Sequence, residues 1–160
     1  MSNEIDLSRR KALKAGGGMG LLALFGGLGL LSSTEALAEW NKAAFSSKAM
    51  DEALTGLGAT GAEDSATAIQ LTVPEIAENG SVVPVTVSSS LANVEQISIF
   101  VDKNPNVLAA SFTLPQGTEA LVTTRVKMGR TANVVAVVKA DGKFYRTSKE
   151  VKVTAGGCGG

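Results

Sequence analysis

The sequence predicts a mainly β protein: an immunoglobulin-like antiparallel β-sandwich, with one helix before it and a flexible glycine-rich arm after it. Three observations lead to this prediction. Apolar residues recur at helical spacing in one early stretch only. From about residue 66 the spacing changes to two, and seven short segments follow at intervals of roughly 8–12 residues. Four glycines then crowd the last five positions, where their backbone freedom favours a mobile arm.

Residues 1–38 have the composition of an export signal. Arg9 and Arg10 precede a glycine-rich apolar stretch, and Ala36 and Ala38 are small residues at the spacing of a signal-peptidase site. The arginine pair resembles twin-arginine leaders, which export folded proteins. The apolar stretch is short and rich in glycine, which argues against a stable membrane anchor. We therefore expect cleavage after Ala38 and a mature protein in the periplasm.

The next elements are a helix over residues 39–58 and a turn-rich connector. Phe45, Leu54 and other apolar residues lie three or four positions apart, and Gly58 supplies a stop. The sandwich is then expected over residues 66–154.

Turn signals separate the predicted strands of the sandwich. Asp141-Gly142 is the strongest hairpin signal, and Asn79-Gly80 suits a turn with positive φ. Pro84 lies inside a predicted strand and indicates an edge or a bulge, because proline cannot donate to the ladder. The seven predicted strands are TAIQLTV, SVVPVTVSS, VEQISIFVD, NVLAASFTL, EALVTTRVKM, TANVVAVVKA and KFYRTSKEVKV.

Composition excludes several classes of function. The chain has no histidine and one cysteine, so it cannot build a Ser-His-Asp triad, a His-ligated metal site or an internal disulfide. Its formal net charge is zero, which gives no field that would attract nucleic acid. We expect no metal site and no resident cofactor. Any chemistry of the chain must use Cys158, carboxylates or the active site of a partner.

The single thiol, Cys158, is the candidate functional group. Gly156, Gly157, Gly159 and Gly160 flank it, so residues 155–160 are predicted to form a thin, flexible arm. Five residues separate Val153 from the thiol, which therefore reaches about 17 Å when extended. An exposed thiol with an ordinary pKa is a modest nucleophile. The arrangement favours a thiol that reacts inside another protein's active site.

Three stretches resemble the SoxY family, the sulfur-carrier subunits of the periplasmic thiosulfate-oxidising Sox system. They are ENGSVVPVTV at 78–87, IFVDKNPNVLAASF at 99–112 and the terminal GGCGG at 156–160. The resemblance implies that Cys158 carries covalently bound sulfur intermediates. It implies as well that the protein has no catalytic residues and is not an enzyme, but a carrier that acts as the covalent substrate of partner enzymes. It also implies a heterodimer with a SoxZ-like subunit and three enzymes as partners: a haem cytochrome, a hydrolase and, in some systems, a sulfane dehydrogenase. The sequence does not determine the final sulfur product, and it does not determine which sheet contacts the SoxZ-like subunit.

Two other functions remain as alternatives. The chain could be a non-catalytic periplasmic interaction module in which the cysteine is incidental. It also ends in Gly159-Gly160, as do carriers that hold sulfur as a C-terminal thiocarboxylate. Sulfur on the side chain of Cys158, rather than on the terminal carboxyl, would distinguish the first expectation from this one. A homodimer linked through Cys158 also stays open, because exposed thiols oxidise to disulfides.

Overall fold

The computed structural model of the chain describes residues 41–154. Two short helices open this part: α1 is Lys42–Ser46 and α2 is Met50–Gly56. The sequence predicts one continuous helix over residues 39–58. This prediction is wrong, because the backbone at Ser47 and Ala49 is extended and separates two helices. The carbonyl of Ser47 accepts a hydrogen bond of 3.1 Å from the backbone N–H of Val107, far away in the chain. The carbonyl of Ser47 is therefore occupied by a tertiary hydrogen bond, whereas in a continuous helix it would accept a hydrogen bond within the helix.

The two helices pack closely on each other. Asn41 caps α1 by accepting a 3.0 Å hydrogen bond from the N–H of Ala44. The same amide group donates to the carbonyl of Gly56 at 2.6 Å, and so joins the start of α1 to the end of α2. A Cβ on Gly56 would lie 3.1 Å from the Cα and Cβ of Ala44, so glycine permits this contact.

All seven predicted strands are present. They are β2 (Ile69–Thr72), β4 (Val83–Ser89), β5 (Val94–Val101), β6 (Leu108–Thr113), β7 (Leu121–Val126), β8 (Ala132–Ala140) and β9 (Lys143–Val153). Two further strands of two residues each, β1 (Glu63–Asp64) and β3 (Ile76–Ala77), are not predicted by the sequence. Segments this short carry no alternation that a sequence pattern could reveal.

The strands form two sheets. One has the order β1-β9-β8-β5-β6, with β3 also paired to β9, and the other has the order β2-β4-β7. The seven predicted strands pair antiparallel, whereas β1 and β3 both pair parallel to β9. Two sheets of mainly antiparallel strands confirm the predicted sandwich, with the helices as an additional layer.

Each face of the larger sheet covers its own apolar cluster. The cluster between the sheets contains Ile69, Val85, Ile97 and Val138, all buried. The second cluster lies between the larger sheet and the helices, and fully buried Phe100 is its largest side chain. Strand β5 contributes to both clusters, and for that reason its residues from Ile97 to Val101 are all buried.

Two local predictions have different outcomes. Asp141 and Gly142 have φ of 49° and 73° and connect Ala140 to Lys143, which are paired in β8 and β9. This is the predicted two-residue hairpin with positive φ at both central positions.

Pro84, by contrast, lies in the middle strand of the smaller sheet. It is tolerated there because β2 pairs only with residues 86–89 of β4, and that side of the strand is open at Pro84.

Candidate functional site

The residues that the sequence singles out for function fall outside the described part of the chain. These are Cys158, Gly156, Gly157, Gly159 and Gly160 of the predicted arm, Arg9 and Arg10 of the export signal, and Ala36 and Ala38 of the cleavage site. What the structure does describe is the end of β9, after which residues 155–160 follow in the sequence. That point, at Val153 and Thr154, defines the candidate site.

Hydrogen bonds on both sides hold the end of β9. On one side β3 pairs Ala77 with Val153, and the N–H of Thr154 donates to the carbonyl of Ala77 at 3.2 Å. On the other side the N–H of Val153 donates to Oγ1 of Thr131 at 3.0 Å. The carbonyl of Glu75 accepts from the N–H of Lys152 at 2.9 Å. The chain is therefore held in a fixed position up to its last described residue.

Gly80 lies directly against this point. Its carbonyl accepts a 2.6 Å hydrogen bond from the N–H of Met128. A Cβ on Gly80 would overlap the carbonyl oxygen of Met128 and would lie 2.9 Å from Cγ1 of Val153. The φ of Gly80 is not positive, so the sequence-based expectation of a positive-φ turn here is wrong. Glycine is needed at this position because the backbone of Met128 and the side chain of Val153 approach it closely.

Two exposed apolar residues, Ile76 and Val82, belong to the segments that contact the end of β9. Ile76, paired with Lys152, has 58% of its surface exposed, and Val82, two residues after Gly80, has 48%. Among residues 41–154 the third large exposed apolar residue is Leu121, at 46%. Leu121 pairs with Ser88 at the far end of β4. Leu121 therefore lies at the opposite end of β4 from Val82.

The carboxyl of Glu95 has a pKa below its ordinary value. This pKa is lowered by hydrogen bonds from the Lys139 side chain and the Gly142 N–H. Glu95 lies near the β8–β9 hairpin, and its 2.6 Å ion pair with Lys139 is there too.

Other features of residues 41–154 do not point to a second reactive site. This part of the chain has no cluster of three or more His, Cys, Asp or Glu side chains placed to hold a metal ion. None of its helices is long and apolar enough to span a membrane. An open cavity of about 740 Å³ lies near the β8–β9 hairpin, bordered by Asn93, Glu95 and Asp141. The end of β9 is thus the described feature most directly joined to the predicted arm.

The fold and the end of β9 define a class of protein. It is a small two-sheet sandwich whose last described strand is followed in the sequence by a glycine-rich segment with the sole cysteine of the chain. Residues 54–158 match the family of the sulfur oxidation protein SoxY. This match covers more than half of the chain, and the chain belongs to the SoxY family.

Solved structures are consistent with this assignment. The sulfur carrier protein SoxY from Chlorobium limicola f thiosulfatophilum is 44% identical, with a TM-score of 0.57. The alignment covers 64% of this chain and 92% of that one. The superoxide reductase (neelaredoxin) from Ignicoccus hospitalis is 18% identical with a TM-score of 0.50, over 54% of this chain and 80% of that one. The second likeness concerns the fold alone. Among curated proteins, none matches this chain.

Proposed function

We propose that this protein is a sulfur carrier that holds thiosulfate-derived intermediates on Cys158 and presents them to enzymes of thiosulfate oxidation. One observation supports the proposal most strongly. The family match extends to residue 158, and so covers the cysteine as well as the sandwich. The 44% identity to a protein described as a sulfur carrier is in agreement. On this proposal the protein is a covalent substrate of its partners and has no catalytic residues or resident cofactor of its own.

The proposed carrier cycle needs only the thiol of Cys158. In the first step the sulfane sulfur of thiosulfate joins Cys158 as R–S–S–SO₃⁻, and one proton and two electrons leave. A haem cytochrome accepts these electrons. Water then attacks the terminal sulfur in a hydrolase, which releases sulfate and leaves R–S–SH. Where a sulfane dehydrogenase is present, the persulfide takes up three oxygen atoms from water, losing six electrons to that enzyme, and becomes R–S–SO₃⁻. A second hydrolysis releases sulfate and restores the thiol.

The glycines have a physical role in this proposal. Gly156, Gly157, Gly159 and Gly160 have no side chains, so the chain around Cys158 would fit a channel too narrow for other residues. The covalent bond also keeps a reactive persulfide from diffusing away, and it raises the local concentration of the intermediate at each enzyme. The folded domain contributes a fixed point of attachment at Val153.

The compartment and the permanent partner are also part of the proposal. The twin-arginine-type leader with Arg9 and Arg10 supports export to the periplasm, with cleavage after Ala38. A SoxZ-like subunit would form the heterodimer that the enzymes recognise.

Mass spectrometry of the mature protein tests the proposal. Cells are given thiosulfate, and the intact protein and its C-terminal peptide are measured with and without a reductant. We expect a reductant-labile adduct, of a thiosulfonate or of one added sulfur, on Cys158. Sulfur on the Gly160 carboxyl would instead establish the thiocarboxylate carrier. An unmodified thiol under all growth conditions would contradict the proposal, and the non-catalytic interaction module would be the remaining alternative.

A further inference from the structure

We propose that the outer face of the smaller sheet is a contact surface for a second copy of this chain, and that two copies form a weak, reversible dimer through it. We call this surface the neutral face. It consists of the side chains of β2, β4 and β7 that point away from the core, from Val82 and Lys127 at one end to Ser88 and Leu121 at the other. The inference does not depend on the proposed sulfur chemistry.

Alternation along the strands identifies the neutral face. The three valines of β4 are buried in the core between the sheets, so Pro84, Thr86 and Ser88 point the other way. The hydroxyl of Thr86 lies 3.1 Å from that of Thr123 on β7, in a hydrogen bond that confirms their shared face. The two described helices pack on the larger sheet. They therefore leave the neutral face exposed.

The neutral face has few charges and two exposed apolar side chains. Within the strands, Arg125 is its only charged residue, whereas five of the 11 residues of β9 are charged. Val82 and Leu121, each about half exposed, are two of the three large exposed apolar residues within residues 41–154. A sheet face of this kind packs well against another sheet, and covering its apolar side chains is favourable.

The size of the neutral face indicates a reversible contact. Three strands at about 4.8 Å spacing are about 14 Å wide, and the six residues from Val82 to Ser88 span about 20 Å. The flat area is about 280 Å² per copy, whereas standard interfaces bury about 800 Å² on each partner and permanent ones bury more. A permanently bound subunit therefore needs a larger surface than this face.

The charges at the two ends of β7 favour a second copy as the occupant. Glu119 and Lys127 are both exposed and lie four residues before and after Thr123, which pairs with Thr86 in the middle of the face. A two-fold axis in the contact plane, perpendicular to the strands and over these threonines, lays each strand on its counterpart in the opposite direction. Lys127 of each copy then lies opposite Glu119 of the other. Neither residue belongs to the two ion pairs within residues 41–154.

The same arrangement brings no like charges together. Thr86 lies at the axis, where it meets its own copy as a neutral side chain. Arg125 follows Thr123 by two residues and Leu121 precedes it by two, so Arg125 of one copy faces Leu121 of the other. The neutral face is thus complementary to itself, as a two-fold interface requires.

Sedimentation velocity of the mature protein tests the inference. Protein concentration is varied from about 10 μM to about 1 mM, the range in which weak complexes dissociate. A reductant is present so that no disulfide through Cys158 joins two copies. The variants are Thr86→Arg and Thr86→Glu, measured alone and as an equal mixture. Ile76→Arg is the matched control, because Ile76 is an exposed apolar residue of β3, which belongs to the larger sheet.

We expect native protein and Ile76→Arg to dimerise with the same dissociation constant. Thr86→Arg and Thr86→Glu should each raise that constant about tenfold or more, because like charges meet at the axis. The equal mixture should associate at least as tightly as native protein, because opposite charges then meet there. Lys127→Glu should weaken the dimer, and adding Glu119→Lys should restore it. Unchanged thermal midpoints will show that the variants are folded.

Several results would overturn the inference. Native protein that stays monomeric up to about 1 mM has no such contact. Equal association of Thr86→Arg and native protein would place the dimer contact elsewhere, and a mixture no tighter than either variant alone would refute the two-fold axis. If native protein is isolated with a different subunit that Thr86→Arg releases, that subunit covers the face instead. Each of these results would leave the proposed function of Cys158 unaffected.

Discussion

Replacing Gly80 with alanine tests whether close backbone approach fixes the end of β9. The added Cβ would overlap the carbonyl oxygen of Met128 and crowd Val153. The overlap involves backbone, so the β7–β8 loop or the turn before β4 has to move. That movement would strain the 2.6 Å hydrogen bond between Met128 and Gly80.

The expected loss of stability is about 2 kcal/mol. Overpacking costs about 1–3 kcal/mol, and a weakened hydrogen bond adds about 0.5–1.5 kcal/mol. The lower entropy of the unfolded alanine chain offsets about 0.4–1 kcal/mol of this. The free energy of unfolding would be measured by urea denaturation of the mature protein.

Gly129→Ala is the matched control. Gly129 belongs to the β7–β8 loop, its φ is not positive, and a Cβ there would meet nothing within 4 Å. Only the entropy term remains, so this variant should be as stable as native protein or more stable by up to about 1 kcal/mol. If Gly80→Ala and Gly129→Ala unfold at the same urea concentration, close approach does not explain the glycine at position 80.

Three further predictions concern the arm, the hairpin and the helices. Cys158→Ser should abolish loading with thiosulfate, measured by mass spectrometry. It should leave the thermal midpoint unchanged, because the described strands end at Val153, five residues earlier in the sequence. Glu95→Gln should lower stability at neutral pH, because the charged carboxylate binds Lys139 and the folded protein holds its pKa below the ordinary 4.5. That contribution is complete above pH 4.5 and is lost as pH falls below it, so urea midpoints of variant and native protein should converge in acid. Phe100→Ala should cost about 3–5 kcal/mol in urea denaturation, because the ring is fully buried between sheet and helices.

Each of these has an outcome that would contradict it. Loading of the Cys158→Ser variant would place the sulfur elsewhere on the chain. A difference between Glu95→Gln and native protein that grows as pH falls would reverse the argued sign. A loss below about 1 kcal/mol for Phe100→Ala would mean that the helices do not depend on this cluster.

Much of the sandwich could be predicted from the sequence, because its signals are local. Alternation within each segment identifies a strand whatever its neighbours are, and all seven predicted strands are found. The Asp141-Gly142 turn is likewise a property of two adjacent residues with positive φ. The resemblance to the SoxY family rested on contiguous segments and agrees with the match over 54–158. The arm and the export signal lie outside the described residues and stay predictions.

The sequence alone therefore determined the strands, the hairpin and the family, since each is encoded over a short stretch of chain. The tertiary structure decided what depends on residues distant in sequence. Val107 takes the carbonyl of Ser47 and divides the helix. The pairing of Ile76 and Ala77 with the end of β9 adds a strand too short to predict. Gly80 is required by the approach of Met128 and Val153, a close contact that exists only once the chain has folded.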